Sequence, residues 1–127
     1  MSPFSETWLT AYRERLNADP EMQVIGEWFT VSMSLSCGEQ RSVVKFAGGR
    51  VVQIDVAPRL DVPCAFGFRA SADIWQKYLS ASPEPLYQNI FSMLMRVPGF
   101  VLEGDTLVAM QHARALLRAM NLMRAES

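Results

Sequence analysis

The chain has 127 residues, half of them hydrophobic and a fifth charged, with a formal net charge of −1. That is the length of a single domain, residues 1–127, large enough to bury a core without disulfide or metal staples. The near-neutral balance supplies no basic excess for phosphates, which argues against nucleic acid and anionic membrane surface as partners.

The opening residues Met1 to Trp8 have neither a basic region nor an apolar run, so no signal peptide is expected. No later stretch approaches the about 20 apolar residues of a transmembrane helix. The first element reads as a helix over 4–17, with Trp8, Leu9, Tyr12 and Leu16 on one face. Ser5, or Ser2 ahead of Pro3, can cap it, and Asn17-Ala-Asp-Pro20 ends it.

Four strands follow. Phe29, Val31, Met33, Leu35 and Cys37 alternate with Thr30, Ser32, Ser34 and Ser36, one face apolar and one wettable. A second strand over 41–47 sets Val44 and Phe46 against Arg41, Val43 and Lys45, and Gly48-Gly49 turns the chain as a hairpin. The third places Val52, Ile54 and Val56 opposite Gln53 and Asp55. Pro58 and Pro63 bracket a loop. The fourth, over 64–70, alternates Cys64, Phe66 and Phe68 with Ala65, Gly67 and Arg69.

Ser71 then caps a helix with the stripe Ile74, Trp75, Tyr78 and Leu79. A loop with two prolines leads to a short helix over 86–96. Phe100 and Leu102 mark a last strand, and Asp105 caps a final helix. On that helix Ala109, Met110, Ala113, Leu116, Leu117, Met120 and Met123 cover about half the circumference. Such an arc must meet more than one surface: the sheet, a neighbouring helix, an apolar ligand or a second subunit. The pattern predicts an α+β domain, a mainly antiparallel five-stranded sheet with helices packed on one face.

Chemistry is sparse. His112 is the single histidine, at the edge of the closing helix's apolar arc, with no nucleophile or carboxylate motif beside it; a packed structural role is expected. Asp55, Asp61, Asp73, Glu103 and Asp105 are scattered, and capping or solvation accounts for them. Gly48-Gly49-Arg50 lacks both phosphate-cradle frames. Arg69, among Phe66, Phe68 and Trp75, is either a solvent-facing strand residue or a partner for a ligand's polar end. Cys37 and Cys64 lack CxxC spacing, so no metal site and no cofactor is expected. Two buried free thiols point to a cytoplasmic protein.

What the chain does carry is methionine. Met93, Met95, Met110, Met120 and Met123 lie in its last third, and Met33 on the first strand's apolar face. Methionine is flexible and polarizable, suited to surfaces that fit varied apolar shapes.

The alternating strand at 28–37, the hairpin Gly48-Gly49-Arg50-Val51-Val52, the passage Phe66-Gly-Phe-Arg-Ala-Ser-Ala-Asp-Ile-Trp75 and the late Gly99-Phe-Val-Leu-Glu-Gly-Asp105 resemble the sterol-carrier-protein family of small lipid-binding domains. The resemblance spans Trp8 to Arg124. It implies a five-stranded sheet with an apolar tunnel between the layers, binding of sterols, fatty acids or their thioesters, and no catalytic residues. Ser80-Ala-Ser-Pro-Glu-Pro85 departs from the family's glycine turn, and the stretch to Pro98 is longer and greasier.

The sequence thus leads to a soluble, non-enzymatic domain that holds a lipid, sterol or fatty acyl group in an apolar cavity between sheet and Met-rich helices. Its expected lining is Met33, Leu35, Phe66, Phe68, Trp75, Phe91, Met95, Met110, Leu117 and Met120. The alternative is an accessory or regulatory protein whose apolar closing helix is an oligomer or partner interface.

Overall fold

Helix α1 runs Glu6–Asn17 in the computed structural model, which describes residues 4–56, 64–80 and 82–124. The expected Ser2–Pro3 start, the Pro58–Pro63 loop and Asp61 lie outside them. Ser5 caps α1, its hydroxyl accepting from the Trp8 N–H at 3.2 Å, and Leu9, Tyr12 and Leu16 are fully buried on one face.

Asn17-Ala-Asp-Pro20 ends α1, as expected, but the same residues start a helix that the pattern does not announce. Asp19 accepts from the Met22 N–H at 2.9 Å and Pro20 opens α2, Pro20–Ile25. Proline blocks a helix behind it and favours one ahead, because its fixed φ suits the first helical position.

The strands are β1 Ser32–Cys37, β2 Gln40–Ala47, β3 Arg50–Val56, β4 Phe66–Ala70 and β5 Val101–Gly104. They form one sheet in the order β3-β2-β1-β4-β5. The sheet is mixed, which corrects the antiparallel expectation: β1 and β4 run parallel, with Met33 beside Phe66 and Leu35 beside Phe68, while the other three pairs are antiparallel. Alternation of side chains is the same in either pairing, so the pattern could not tell them apart. The β2–β3 hairpin turns at Gly48-Gly49 and presses its tip on α2. Gly49 has φ 80°, and a Cβ there would lie 2.8 Å from the Gly26 carbonyl oxygen.

Helix α3, Ala72–Tyr78, is capped by Ser71. The expected 86–96 helix resolves into a 3-10 turn, Pro85–Tyr87, and α4, Ile90–Arg96, capped by Asn89. Asp105 caps the closing segment as expected, accepting from the Val108 N–H at 3.1 Å. The single closing helix becomes two, α5 Thr106–Gln111 and α6 Ala113–Asn121, broken at His112.

Register places Met33, Leu35, Val44, Phe66 and Phe68 on one sheet face. With Phe46, they join Leu9, Tyr12, Leu16, Met22, Trp75, Tyr78, Ile90, Met93, Leu116 and Met120 from the helices in one apolar cluster. On the other face Ser34 and Ser36 are buried, and Ser34 lies against Gly67 of β4.

Candidate functional site

The candidate site is the layer where the apolar sheet face meets the helices. Its floor is Met33 and Leu35 from β1 and Phe66 and Phe68 from β4, all fully buried or nearly so. An aromatic group covers one end. Phe68 stacks on Phe100 at 5.6 Å, Trp75 meets Phe100 edge-on at 5.5 Å, and Phe4 sits edge-on between Trp8 and Trp75. The Trp75 indole reaches the floor and donates to the Ser36 carbonyl at 2.8 Å. A buried indole N–H needs such a partner, which orients the ring edge-on to its neighbours.

The roof is α6, with Leu116, Ala119 and Met120 fully buried. Polar bonds fix it along its length. The Tyr12 hydroxyl donates to the Ala119 carbonyl at 2.8 Å, and Arg15 donates to the carbonyls of Leu122 and Met123 at 2.8 and 3.3 Å. Arg118 forks onto Asp19 at 2.7 and 3.1 Å and reaches Glu21 at 2.9 Å. Arg124 stacks over the Tyr78 ring and donates to the Tyr78 and Tyr87 carbonyls at 2.8 and 2.7 Å. Burial pushes the Tyr12 phenol well above its ordinary range and the Tyr78 phenol likewise, so both are neutral donors. The Arg118 guanidinium holds the Asp19 carboxyl below its ordinary value, mainly by hydrogen bonding.

Eight of the ten residues expected to line a cavity meet in this layer. Met33, Leu35, Phe66, Phe68, Trp75 and Met120 are buried in the cluster, with Phe91 and Leu117 half-buried against it. Met95 and Met110 stand outside, 85% and 45% exposed. Sequence reasoning gave no site role to Phe4, Tyr12, Phe100, Arg15 or Arg124. Phe100 carries no spacing signal toward Trp75 or Phe68, and the arginines act on carbonyls more than thirty residues away.

His112 lies at the α5–α6 break, its ring edge-on to Phe29 at 5.6 Å, and its imidazole makes no hydrogen bond to another described residue. Arg69 pairs with Glu103 across β4 and β5 at 3.2 Å on the solvent side. Cys37 and Cys64 are half-buried where full burial was expected, the Cys64 sulfur accepting from Arg41 at 2.9 Å, and burial raises both pKa values. Among the described residues no cluster of three His, Cys, Asp or Glu could hold a metal, and no helix is long and apolar enough to cross a membrane.

An open groove of about 680 Å³ lies at one end of the sheet, walled by Val31, Phe46, Val52, Ala65 and Val108, with Lys45 and Cys64 at its side.

The whole of this architecture is shared with a solved structure. The crystal structure of sterol carrier protein 2 superposes with a TM-score of 0.77 at 21% identity, covering 98% of each chain. The chain has the sterol-carrier-protein fold. A solution structure from Thermus thermophilus, of a conserved hypothetical protein described as a candidate sterol carrier protein, matches at a TM-score of 0.66 and 20% identity over 96% of this chain and 90% of that one. A UbiJ-SCP2 ubiquinone synthesis protein matches at 0.58 and 13% identity over 90% and 85%. No family model matches the sequence, and no curated protein does.

Proposed function

We propose that the chain is a non-enzymatic cytoplasmic carrier that holds an apolar ligand between the sheet and the helices. The observation that carries this reading is the likeness to sterol carrier protein 2 over 98% of both chains, a match of the entire fold and not of one motif within it. The composition of the layer supports it. Met33, Met93 and Met120 share it with Phe66, Phe68 and Trp75, soft and large apolar groups that can repack around a ligand. An apolar molecule burying about 300 Å² there gains on the order of 7 kcal/mol before ordering costs. The ligand class is a sterol, a fatty acyl chain or, by analogy with the ubiquinone synthesis protein, a quinone.

A second reading, an accessory protein that docks through its closing helix, draws on fewer residues. Leu116, Ala119 and Met120 turn inward, and among the described residues of that segment Leu107 and Met110 alone remain as exposed large apolar groups.

Native mass spectrometry of the purified protein and displacement of a fluorescent fatty acid by sterol, acyl and quinone competitors test the carrier reading. A co-purifying lipid mass and saturable, competable binding are expected. No saturable binding across all three classes refutes it, and an obligate ligand-free dimer favours the second reading.

A further inference from the structure

The sheet's second face carries the serines. Ser32, Ser34 and Ser36 of β1 lie on it opposite Lys45, Val43 and Arg41 of β2. The apolar layer of Met33, Leu35, Phe66 and Phe68 is on the other side. At one end of the serine face the groove of about 680 Å³ opens over Thr30, Ser32, Lys45, Val52, Ala65 and Val108.

Three features mark this groove. The first is Lys45, which is half-buried and forms no ion pair among the described residues. No carboxylate is among the groove's described lining. Those on the same face or near it are engaged elsewhere: Asp55 accepts from Gln53 at 3.0 Å, Glu103 pairs with Arg69 at 3.2 Å, and Asp105 caps α5. Arg41 donates to the Cys64 sulfur at 2.9 Å. An ammonium partly withdrawn from water gains from a close anion.

The second feature is a pair of hydroxyls. Ser32 stands directly opposite Lys45 in the ladder, and its side chain makes no hydrogen bond to another described residue. Opposed residues hold their Cβ atoms about 5 Å apart, so the ammonium and the Ser32 hydroxyl can reach one acceptor. Thr30 lines the same groove and accepts from the Gly48 N–H at 3.0 Å, which leaves its own proton for another acceptor.

The third feature is Val52. The β2–β3 register shifts so that Val51 opposes Phe46 and Gln53 opposes Lys45, with Val52 unpaired between them. Such a bulge re-aims a side chain. Here it leaves an apolar one 52% exposed in the groove wall. Ala65 and Val108, both half-buried, continue that wall.

We infer that this groove is a second binding site, for a monoanionic amphiphile. A carboxylate head meets Lys45, Ser32 and Thr30, and a short apolar body lies on Val52, Ala65 and Val108. One ammonium and two neutral donors balance a single negative charge, which favours a carboxylate over a dianionic phosphate. The sheet separates this site from the layer assigned to the carried ligand, so the inference does not rest on the carrier reading.

The test is an amide NMR titration of the full chain with octanoate, set against acetate, octanol and inorganic phosphate. Octanoate should shift the amides of Thr30, Ser32, Lys45, Val52 and Val108 saturably. Acetate lacks the apolar body and octanol the charge, and each should bind at least about tenfold more weakly. Lys45→Met should weaken octanoate by at least about tenfold, while Lys45→Arg keeps the charge and stays within about threefold. Val52→Ala should weaken it by about fivefold. Both positions have solvent access, and an unchanged amide spectrum outside the groove shows that each variant folds. Octanol binding as tightly as octanoate, or octanoate binding unchanged in Lys45→Met, overturns the head site. Phosphate binding as tightly as octanoate overturns the amphiphile assignment. Shifts confined to Met33, Phe66, Leu116 and Met120 place octanoate in the apolar layer, which overturns the second site and supports the carrier reading. Saturable groove shifts support the second site whatever the layer binds.

Discussion

Met120 and Met95 are the same residue type in opposite environments, and truncating each to alanine measures how tightly the sheet–helix layer is packed. Met120 is fully buried on α6, within the cluster of Leu116 and Ala119, while Met95 on α4 is 85% exposed. Met120→Ala removes the thioether end of a side chain that has no solvent access. The lost transfer term and the cavity left behind together cost about 2–5 kcal/mol. For a chain of this length each kcal/mol lowers Tm by about 3–5 °C, so a loss of about 3 kcal/mol shifts it by about 10–15 °C. Met95→Ala should stay within about 0.5 kcal/mol. Urea denaturation is the assay, with the midpoint read at unchanged m-value to keep the two-state comparison sound. If Met120→Ala costs less than about 1 kcal/mol, position 120 lines a space already open, and the description of α6 as a packed roof is wrong. If Met95→Ala costs as much as Met120→Ala, burial is not what decides these energies here.

Tyr12→Phe should cost about 1–2 kcal/mol by urea denaturation, because it strands the buried Ala119 carbonyl without its 2.8 Å donor. The Asp19–Arg118 pair sets an acid limit. A carboxyl held below its ordinary value of 3.8 in the folded state stabilises above that value, and the contribution is lost as pH falls through the lowered folded pKa. Stability should therefore drop as pH falls below about 4, and Arg118→Met should flatten that slope in a pH series of urea midpoints. An unchanged slope in the variant would show that other carboxyls carry the acid response.

The buried face of the sheet was legible in the sequence. Period-two runs such as Met33, Leu35 against Ser34, Ser36 place the floor correctly, since one-sided burial forces that alternation. Caps at Ser5, Ser71 and Asp105 were legible for a similar reason: the orphan N–H groups of a first turn need a side-chain oxygen close in sequence. The broad arc of the closing segment was legible, but its division was not. Apolar periodicity continues through 106–121, while His112 leaves helical geometry. Met95 and Met110 illustrate the same gap. Residue type suggested interior use, yet nothing local reports which side of a short helix meets the sheet.

Which residues of β1 and β4 share a face and where most elements start follow from the order of residues, whereas on β3 a register shift beside Lys45 and Phe46 buries Val51 and leaves the expected Val52 and Val56 exposed. Shared faces and element starts are relations between neighbours along the chain, set by backbone periodicity and by the first turn's unpaired donors. Packing alone placed β4 beside β1 in parallel, brought Arg15 and Arg124 to carbonyls on distant elements, and anchored α6 by hydrogen bonds with Tyr12 and Asp19. Those outcomes depend on groups far apart in sequence meeting at hydrogen-bond distance, which local periodicity does not encode.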